Sequence, residues 1–207
     1  MADVITFLSR GGIIMIPILL CSILGLAIVF EKIFSLRRNR ILIPEIVSLI
    51  ESIETNDDIK LATSICVKNS GPLASIILTG LNNQHLPGDE IRELITDRGR
   101  QEVRTLERGL SVLETIAGVA PLLGLLGTVL GMIKVFAVIS TQGTGQASLL
   151  AGGISEALIT TATGLSVGIP VLVAYNYFTN RAENYILDIE NYSSILLKKI
   201  RMINENS

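Results

Sequence analysis

Three long apolar runs restrict what this chain can fold into more than any other feature of its sequence. Residues 11–30 carry no charge and are long enough to cross about 30 Å of hydrocarbon as a helix. Residues 115–139 and 157–178 form two further runs. Hydrophobic residues make up 49% of the 207 and charged residues only 17%, below the roughly one quarter usual in soluble domains. The sequence therefore predicts an all-α membrane protein with three transmembrane helices.

The polar parts of the chain also carry helical signals. Between residues 41 and 114 charged residues of both signs are frequent, and turn signals at Pro44 and at residues 56–58, 69–72 and 86–89 divide the segment into short helices. Apolar residues then recur at helical spacing from Ile91 to Leu113 with no breaker expected before the second apolar run. The tail resumes the same spacing. We therefore expect two of the three membrane helices to extend into the cytoplasm.

The distribution of Lys and Arg predicts the orientation. A basic cluster follows the first run, whereas Arg10 alone precedes it, so the N-terminus is expected outside and the C-terminus in the cytoplasm. A cleaved signal peptide is disfavoured because no small-residue cleavage site follows the run. The predicted segments are an external N-terminus with the first transmembrane helix (1–30), a cytoplasmic helical region (31–114), the second transmembrane helix (115–139), a short external turn (140–156), the third transmembrane helix (157–178) and a cytoplasmic helical tail (179–207).

Composition excludes several classes of function. A net charge of −2 leaves no basic surplus for nucleic acid. His85 stands alone, without the other ligands that a metal site needs, and no cofactor is expected. The membrane runs contain no His, no Asp and only one boundary Glu, so an intramembrane enzyme lacks its catalytic groups. We therefore expect a membrane protein in contact with lipid that is not an enzyme.

One face of the second run is small and polar. Pro121, Gly124, Thr128 and Gly131 fall within one sector at about 100° per residue, and small residues of this kind allow helices to approach closely. Thr128 supplies the only hydroxyl of that face. At membrane depth this hydroxyl either bonds back to its own helix or faces a partner or water, and the sequence leaves both readings open.

Hydroxyls and one carboxylate are concentrated in the outer half of the third run. Thr161, Gly164 and Gly168 share a face, and the two glycines are predicted to be helix-packing positions. Glu156 lies about 140° from Thr161 around the helix. It is either a functional acid or a solvated residue at the helix N-terminus. No carboxylate lies in the middle of any run, so a titrating group for ion transport is expected from another polypeptide.

Two motifs carry a resemblance to a known family. They are APLLGLLGTVLGMI from Ala120, and GISEALITTATGL from Gly153 with Ile169-Pro170 after it. The chain resembles the ExbB/TolQ/MotA proton-channel family, and its three spans favour the ExbB/TolQ branch over the four-span MotA branch. The resemblance implies an ion path involving Thr128, Thr161 and Glu156. Because Thr160 directly precedes Thr161, the sequence leaves open which of these two hydroxyls faces the pore.

The resemblance also implies an assembly and a function. Five copies would surround a single-span ExbD/TolR-like partner, whose intramembrane aspartate carries the proton, in the bacterial inner membrane. Ion flow would then drive work on a TonB- or TolA-like protein, in outer-membrane import or envelope maintenance. The alternatives are a stator subunit of another motor, such as gliding or flagellar rotation, and a non-conducting structural scaffold.

Overall fold

A computed structural model of the chain describes residues 11–143 and 147–205. Within those ranges all regular structure is helical, in the order α1 Met15–Ser35, α2 Arg38–Ile41, α3 Pro44–Ser52, α4 Asn56–Lys68, α5 Pro72–Asn82, α6 Gly88–Glu107, α7 Leu110–Gln142 and α8 Ala147–Glu205. Among the described residues, three runs are long and apolar enough to cross a membrane: α1, the run Gly88–Thr141 that covers α6 and nearly all of α7, and the run Ala147–Ile203 within α8. The prediction of an all-α protein with three candidate spans is confirmed. The expected external N-terminus, residues 1–10 with Arg10, lies outside the described residues.

The chain divides into two compact units. The first comprises Met1–Glu31 and Gly109–Tyr177, and therefore holds α1, α7 and the first part of α8. Within it α1 packs through Gly25, where an added Cβ would lie 3.0 Å from Val171 of α8 and 3.9 Å from Ile116 of α7. The outward faces are apolar, with Ile23 and Leu122 more than 60% exposed. Such a surface suits lipid better than water.

The second unit comprises Lys32–Arg108 and Phe178–Ser207. Its core is built from short amphipathic helices against the tail of α8, and α5 approaches its neighbours closely at Gly80, where an added Cβ would lie 2.8 Å from Ile95 and 2.9 Å from Leu196. Polar groups close the helix ends. Lys199 donates to the carbonyl oxygens of Glu51 and Ile53 at the end of α3.

The start of α4 is fixed by a reciprocal capping box. The Thr55 side chain accepts a hydrogen bond from the backbone N–H of Asp58, and the Asp58 carboxylate accepts one from the backbone N–H of Thr55. The carboxylate also accepts from the Glu54 N–H and from the Thr55 hydroxyl. These bonds, first that from Glu54, hold the pKa of Asp58 below its usual value because they stabilise the charged form.

The sequence predicts one unbroken helix from Ile91 into the membrane, and this prediction is wrong at one point. α6 ends at Glu107 and α7 begins at Leu110, and Gly109 between them has a left-handed φ of 87°. That conformation favours glycine. The end of α6 is also capped, since the buried Lys32 side chain donates to the Leu106 carbonyl oxygen at 3.0 Å. The break coincides with the boundary between the two units.

The predicted external turn, residues 140–156, is too long. α7 continues to Gln142 and ends where Gly143 adopts a φ of 73°, and α8 already begins at Ala147. Residues 147–156 have the small, polar composition of a turn, but at Gly153 the reason for a glycine is packing. An added Cβ there would lie 2.6 Å from the Val135 side chain of α7. Residues 144–146, inside the predicted turn, lie outside the described residues.

Candidate functional site

The candidate site lies along the contact between α7 and the first part of α8, which we call the seam. At its centre the two backbones touch without intervening side chains. An added Cβ at Gly124 would lie 2.9 Å from the Thr160 carbonyl oxygen and 3.3 Å from the Gly164 Cα, and one at Gly164 would lie 2.6 Å from the Ala120 carbonyl oxygen. Only residues without side chains fit at this separation.

The same pattern continues to both ends of the seam. Toward the α7–α8 connection, an added Cβ at Gly131 would lie 2.9 Å from both the Ala157 Cβ and the Gly153 carbonyl oxygen. Toward the other end, one at Gly168 would lie 2.6 Å from Pro121 Cγ. Residues with higher numbers in α7 thus contact residues with lower numbers in α8, as expected for antiparallel helices. All five predicted packing positions, Pro121, Gly124, Gly131, Gly164 and Gly168, lie in this contact within a single chain.

Gly127 and Thr160 belong to the seam although neither was expected there. A Cβ at Gly127 would overlap the Thr160 side chain, which is fully buried. The Thr160 hydroxyl donates back to its own helix, to the Ala157 carbonyl oxygen at 2.8 Å. A sequence signal did exist, because Gly127 lies three residues after Gly124 and four before Gly131, as expected for one helical face.

Thr161 differs from its neighbour because its hydroxyl crosses the seam. It donates to the Gly124 carbonyl oxygen of α7 at 3.0 Å, and the residue is only partly buried. Within a membrane such an interhelical hydrogen bond contributes about 0.6–2 kcal/mol. Thr161 therefore joins the two helices while remaining accessible, whereas Thr160 is enclosed.

Thr128 is on the same helix as Gly124 but does not cross the seam. Its hydroxyl donates to the Leu125 carbonyl oxygen of its own helix at 2.5 Å, and the side chain remains partly exposed. The sequence left open whether this hydroxyl bonds back to its own helix or faces a partner or water. In the single chain it bonds back to its own helix. Thr163 also bonds back, to the Ile159 carbonyl oxygen at 2.8 Å.

Glu156 forms an ion pair that the sequence analysis missed. Its Oε1 accepts a hydrogen bond from Lys134 Nζ at 2.5 Å, and the side chains are 58% exposed for Lys134 and 20% for Glu156. The two residues are 22 positions apart and meet because α7 and α8 are antiparallel. The sequence did contain a signal for this pair, because residues of opposite charge lie near the end of the second predicted span and the start of the third.

These features define a class of protein: a helical multi-pass membrane protein in which two candidate spans share a close-packed contact that carries hydroxyl groups. Residues 68–191 match the MotA/TolQ/ExbB proton channel family, and the chain belongs to this family. The matched segment contains the whole seam. Relatives with ExbB and TolQ names place the chain in the ExbB/TolQ branch, as predicted.

Three relatives illustrate the range of similarity. The ExbB-like 3 protein of Synechocystis sp. is 35% identical over 175 residues, which cover 81% of each chain. An ExbB homolog of Methanothermobacter thermautotrophicus is 33% identical over 199 residues, 95% of this chain and 68% of the relative. The Tol-Pal system protein TolQ of Pseudomonas aeruginosa is 36% identical over 104 residues, 48% of this chain and 45% of TolQ. The chain thus spans less than half of TolQ and about two thirds of some ExbB-named relatives.

Proposed function

We propose that this chain is a subunit of an inner-membrane complex that couples ion flow to mechanical work on a TonB- or TolA-like protein. The complex is a homo-oligomer, a pentamer in our proposal, around an ExbD/TolR-like single-span partner that carries an intramembrane aspartate. The N-terminus is external and the C-terminus cytoplasmic. Family membership and the three candidate spans support this proposal. The observation that carries it is the hydroxyl of the partly buried Thr161, bonded across the seam to Gly124.

The bonding of the two hydroxyls suggests their role. A hydroxyl has one donor hydrogen and two acceptor lone pairs. Thr161 gives its hydrogen to Gly124 and Thr128 gives its hydrogen to Leu125, so each oxygen presents acceptor positions. A protonated carboxylic acid or a water molecule is the matching donor. When the partner's acid loses its proton, rotation of either hydroxyl supplies a donor for the carboxylate instead.

The seam fixes where the Thr161 hydroxyl oxygen lies. A glycine contact has no side chains that can rearrange, so the backbone positions of Gly124 and Thr161 are set by direct contact of the helices. Preorganised groups of this kind can stabilise a moving charge without reorganising at the moment of transfer. We assign the ion path to Thr128, Thr161 and Glu156, and we assign Thr161 rather than the enclosed Thr160 to its lining.

The test removes hydroxyls while keeping shape. Thr128→Val and Thr161→Val are expected to assemble with the partner yet each lose about tenfold in gradient-dependent function, the effect of deleting one hydrogen-bonding group. Thr163→Val is the matched control, because its hydroxyl only bonds back to its own helix, and Thr160→Val should likewise be milder than Thr161→Val. Function is measured as gradient-dependent import or envelope integrity in cells that carry the cognate partner.

Assembly is followed in parallel by native mass spectrometry. Wild-type function in the Thr128→Val, Thr161→Val double variant would remove both hydroxyls from the ion path. A scaffold that only packs would then be the better account of the seam.

A further inference from the structure

The Lys134–Glu156 pair is asymmetric in its exposure. The Glu156 side chain is only 20% exposed, whereas the Lys134 side chain is 58% exposed and long enough to reach the interface with water on its own. A carboxylate at the edge of a membrane is costly without a counter-charge, so the acid depends on the lysine more than the lysine depends on the acid. We propose that Lys134 is a positioning residue that fixes and neutralises Glu156, an inference that rests on the proposed ion path.

Gly12 is a second residue in close contact with the same carboxylate. Its φ is 68°, and an added Cβ there would overlap Glu156 Oε1 and lie 2.9 Å from Cδ. The backbone at Gly12 therefore reaches the acid at a distance that only glycine permits. Oε1 is therefore close to both the Lys134 ammonium and the backbone at Gly12.

The second carboxylate oxygen remains available. Oε2 has no hydrogen bond to any of the residues 11–143 or 147–205, so one oxygen is held and the other can accept from water or from a passing proton carrier. Among those residues, Lys134 supplies the opposing charge, and Gly12 supplies backbone alone.

Neutralisation has a functional consequence. An ion site must bind strongly enough to admit an ion and weakly enough to release it. An unpaired carboxylate with few water contacts would bind a cation strongly, whereas a carboxylate paired with a lysine still accepts hydrogen bonds while the pair carries no net charge. Lys134 thus leaves Glu156 able to accept hydrogen bonds along the proposed ion path without binding a cation tightly.

The first experiment changes only the lysine. Lys134→Met should assemble with the partner but lose at least tenfold in gradient-dependent function, whereas Lys134→Arg, which keeps the charge and the hydrogen bond, should retain at least half. Lys198→Met is the matched control, because it makes the same substitution at an exposed lysine of the second unit. Wild-type function in Lys134→Met would overturn the inference, and so would an assembled Lys134→Arg as inactive as Lys134→Met.

Two further variants separate positioning from structure. Gly12→Ala should reduce function as Lys134→Met does, while Gly143→Ala, with a similar φ of 73° and no atom within 4 Å of its added Cβ, controls for backbone strain. Full function in Gly12→Ala would overturn the proposal that Glu156 must be held in this position. The exchange Lys134→Glu with Glu156→Lys should restore the pair but not function, and restored function would show that the pair only bridges the helices.

The outcomes also separate this inference from the proposed function. Loss of assembly in both Lys134→Met and Glu156→Gln would show that the pair serves folding, and would overturn the positioning role alone. If wild-type protein with its partner shows no gradient-dependent function, the proposed function itself fails. If the threonine variants lose function but Lys134→Met does not, only the role of Lys134 fails.

Discussion

Replacement of Gly124 by alanine tests the seam most directly. The added Cβ would lie 2.9 Å from the Thr160 carbonyl oxygen, 3.1 Å from the Thr161 Cα and 3.3 Å from the Gly164 Cα. All three neighbours are backbone atoms, so no side chain can rotate away. Restoring an ordinary contact requires α7 and α8 to separate locally by roughly half an ångström or more, given that non-bonded carbon atoms prefer about 3.5–4 Å.

The magnitude follows from what that separation changes. Overpacking of a tight contact costs about 1–3 kcal/mol. The Thr161–Gly124 hydrogen bond, now 3.0 Å, stretches to the limit of a useful length, and such bonds contribute about 0.6–2 kcal/mol within a membrane. The higher helix propensity of alanine offsets roughly 1 kcal/mol of this destabilisation. We therefore expect Gly124→Ala to destabilise the first unit by about 1–3 kcal/mol.

Gly118 provides the matched control on the same helix. An added Cβ there meets no atom within 4 Å, so Gly118→Ala should be neutral or stabilise by up to about 1 kcal/mol. The assay is thermal unfolding of purified protein in detergent, with hydrogen exchange of the α7 and α8 amides to locate the loss. A Gly124→Ala protein at least as stable as Gly118→Ala, with unchanged exchange along α7 and α8, would refute the reasoning.

Two predictions concern the second unit. Burial raises the pKa of the Cys66 thiol to about 11 from 9.0, so its thiolate is about 100-fold scarcer at neutral pH. Val67→Cys, at a position 68% exposed, should therefore react with a maleimide far faster than Cys66, and impermeant-reagent labelling of Val67→Cys in a Cys66→Ala background tests whether this region is cytoplasmic. Labelling of that variant in intact spheroplasts would contradict the cytoplasmic assignment. Asp58→Asn should destabilise the second unit at pH 7. Since the folded pKa of Asp58 is lowered, the wild-type advantage is present above 3.8 and disappears as the pH falls through the folded value, which unfolding curves at pH 7 and near pH 3 would reveal.

The sequence predicted features that depend on local pattern. Long apolar runs identified the candidate spans, and the spacing of Gly124 and Gly131 identified one small-residue face of α7. The Lys134–Glu156 pair depends on the register of two antiparallel helices, which no local pattern encodes. Gly109 was not recognised as a helix break because the apolar residues on both sides keep helical spacing across it.

The residues near Gly153 show a second kind of limit. Their composition is that of a turn, and a glycine that a turn needs looks the same in sequence as a glycine that a close helix contact needs. Gly143 serves the first purpose, with its φ of 73°, and Gly153 serves the second, against Val135. Only the neighbouring helix distinguishes them, so the start of α8 could not be placed from this chain segment by itself.

The scarcity of side chains in the seam has a consequence for entropy. Packing a leucine or methionine immobilises rotamers, whereas glycine and alanine have none to lose. Water does not drive two helices together inside lipid, so the balance between dispersion contacts and lost freedom decides whether they stay associated. Gly124, Gly164 and Ala120 make their contacts at almost no cost in side-chain entropy. Leu122 and Leu125, both more than half exposed in the single chain, keep their rotameric freedom on the outer face of α7.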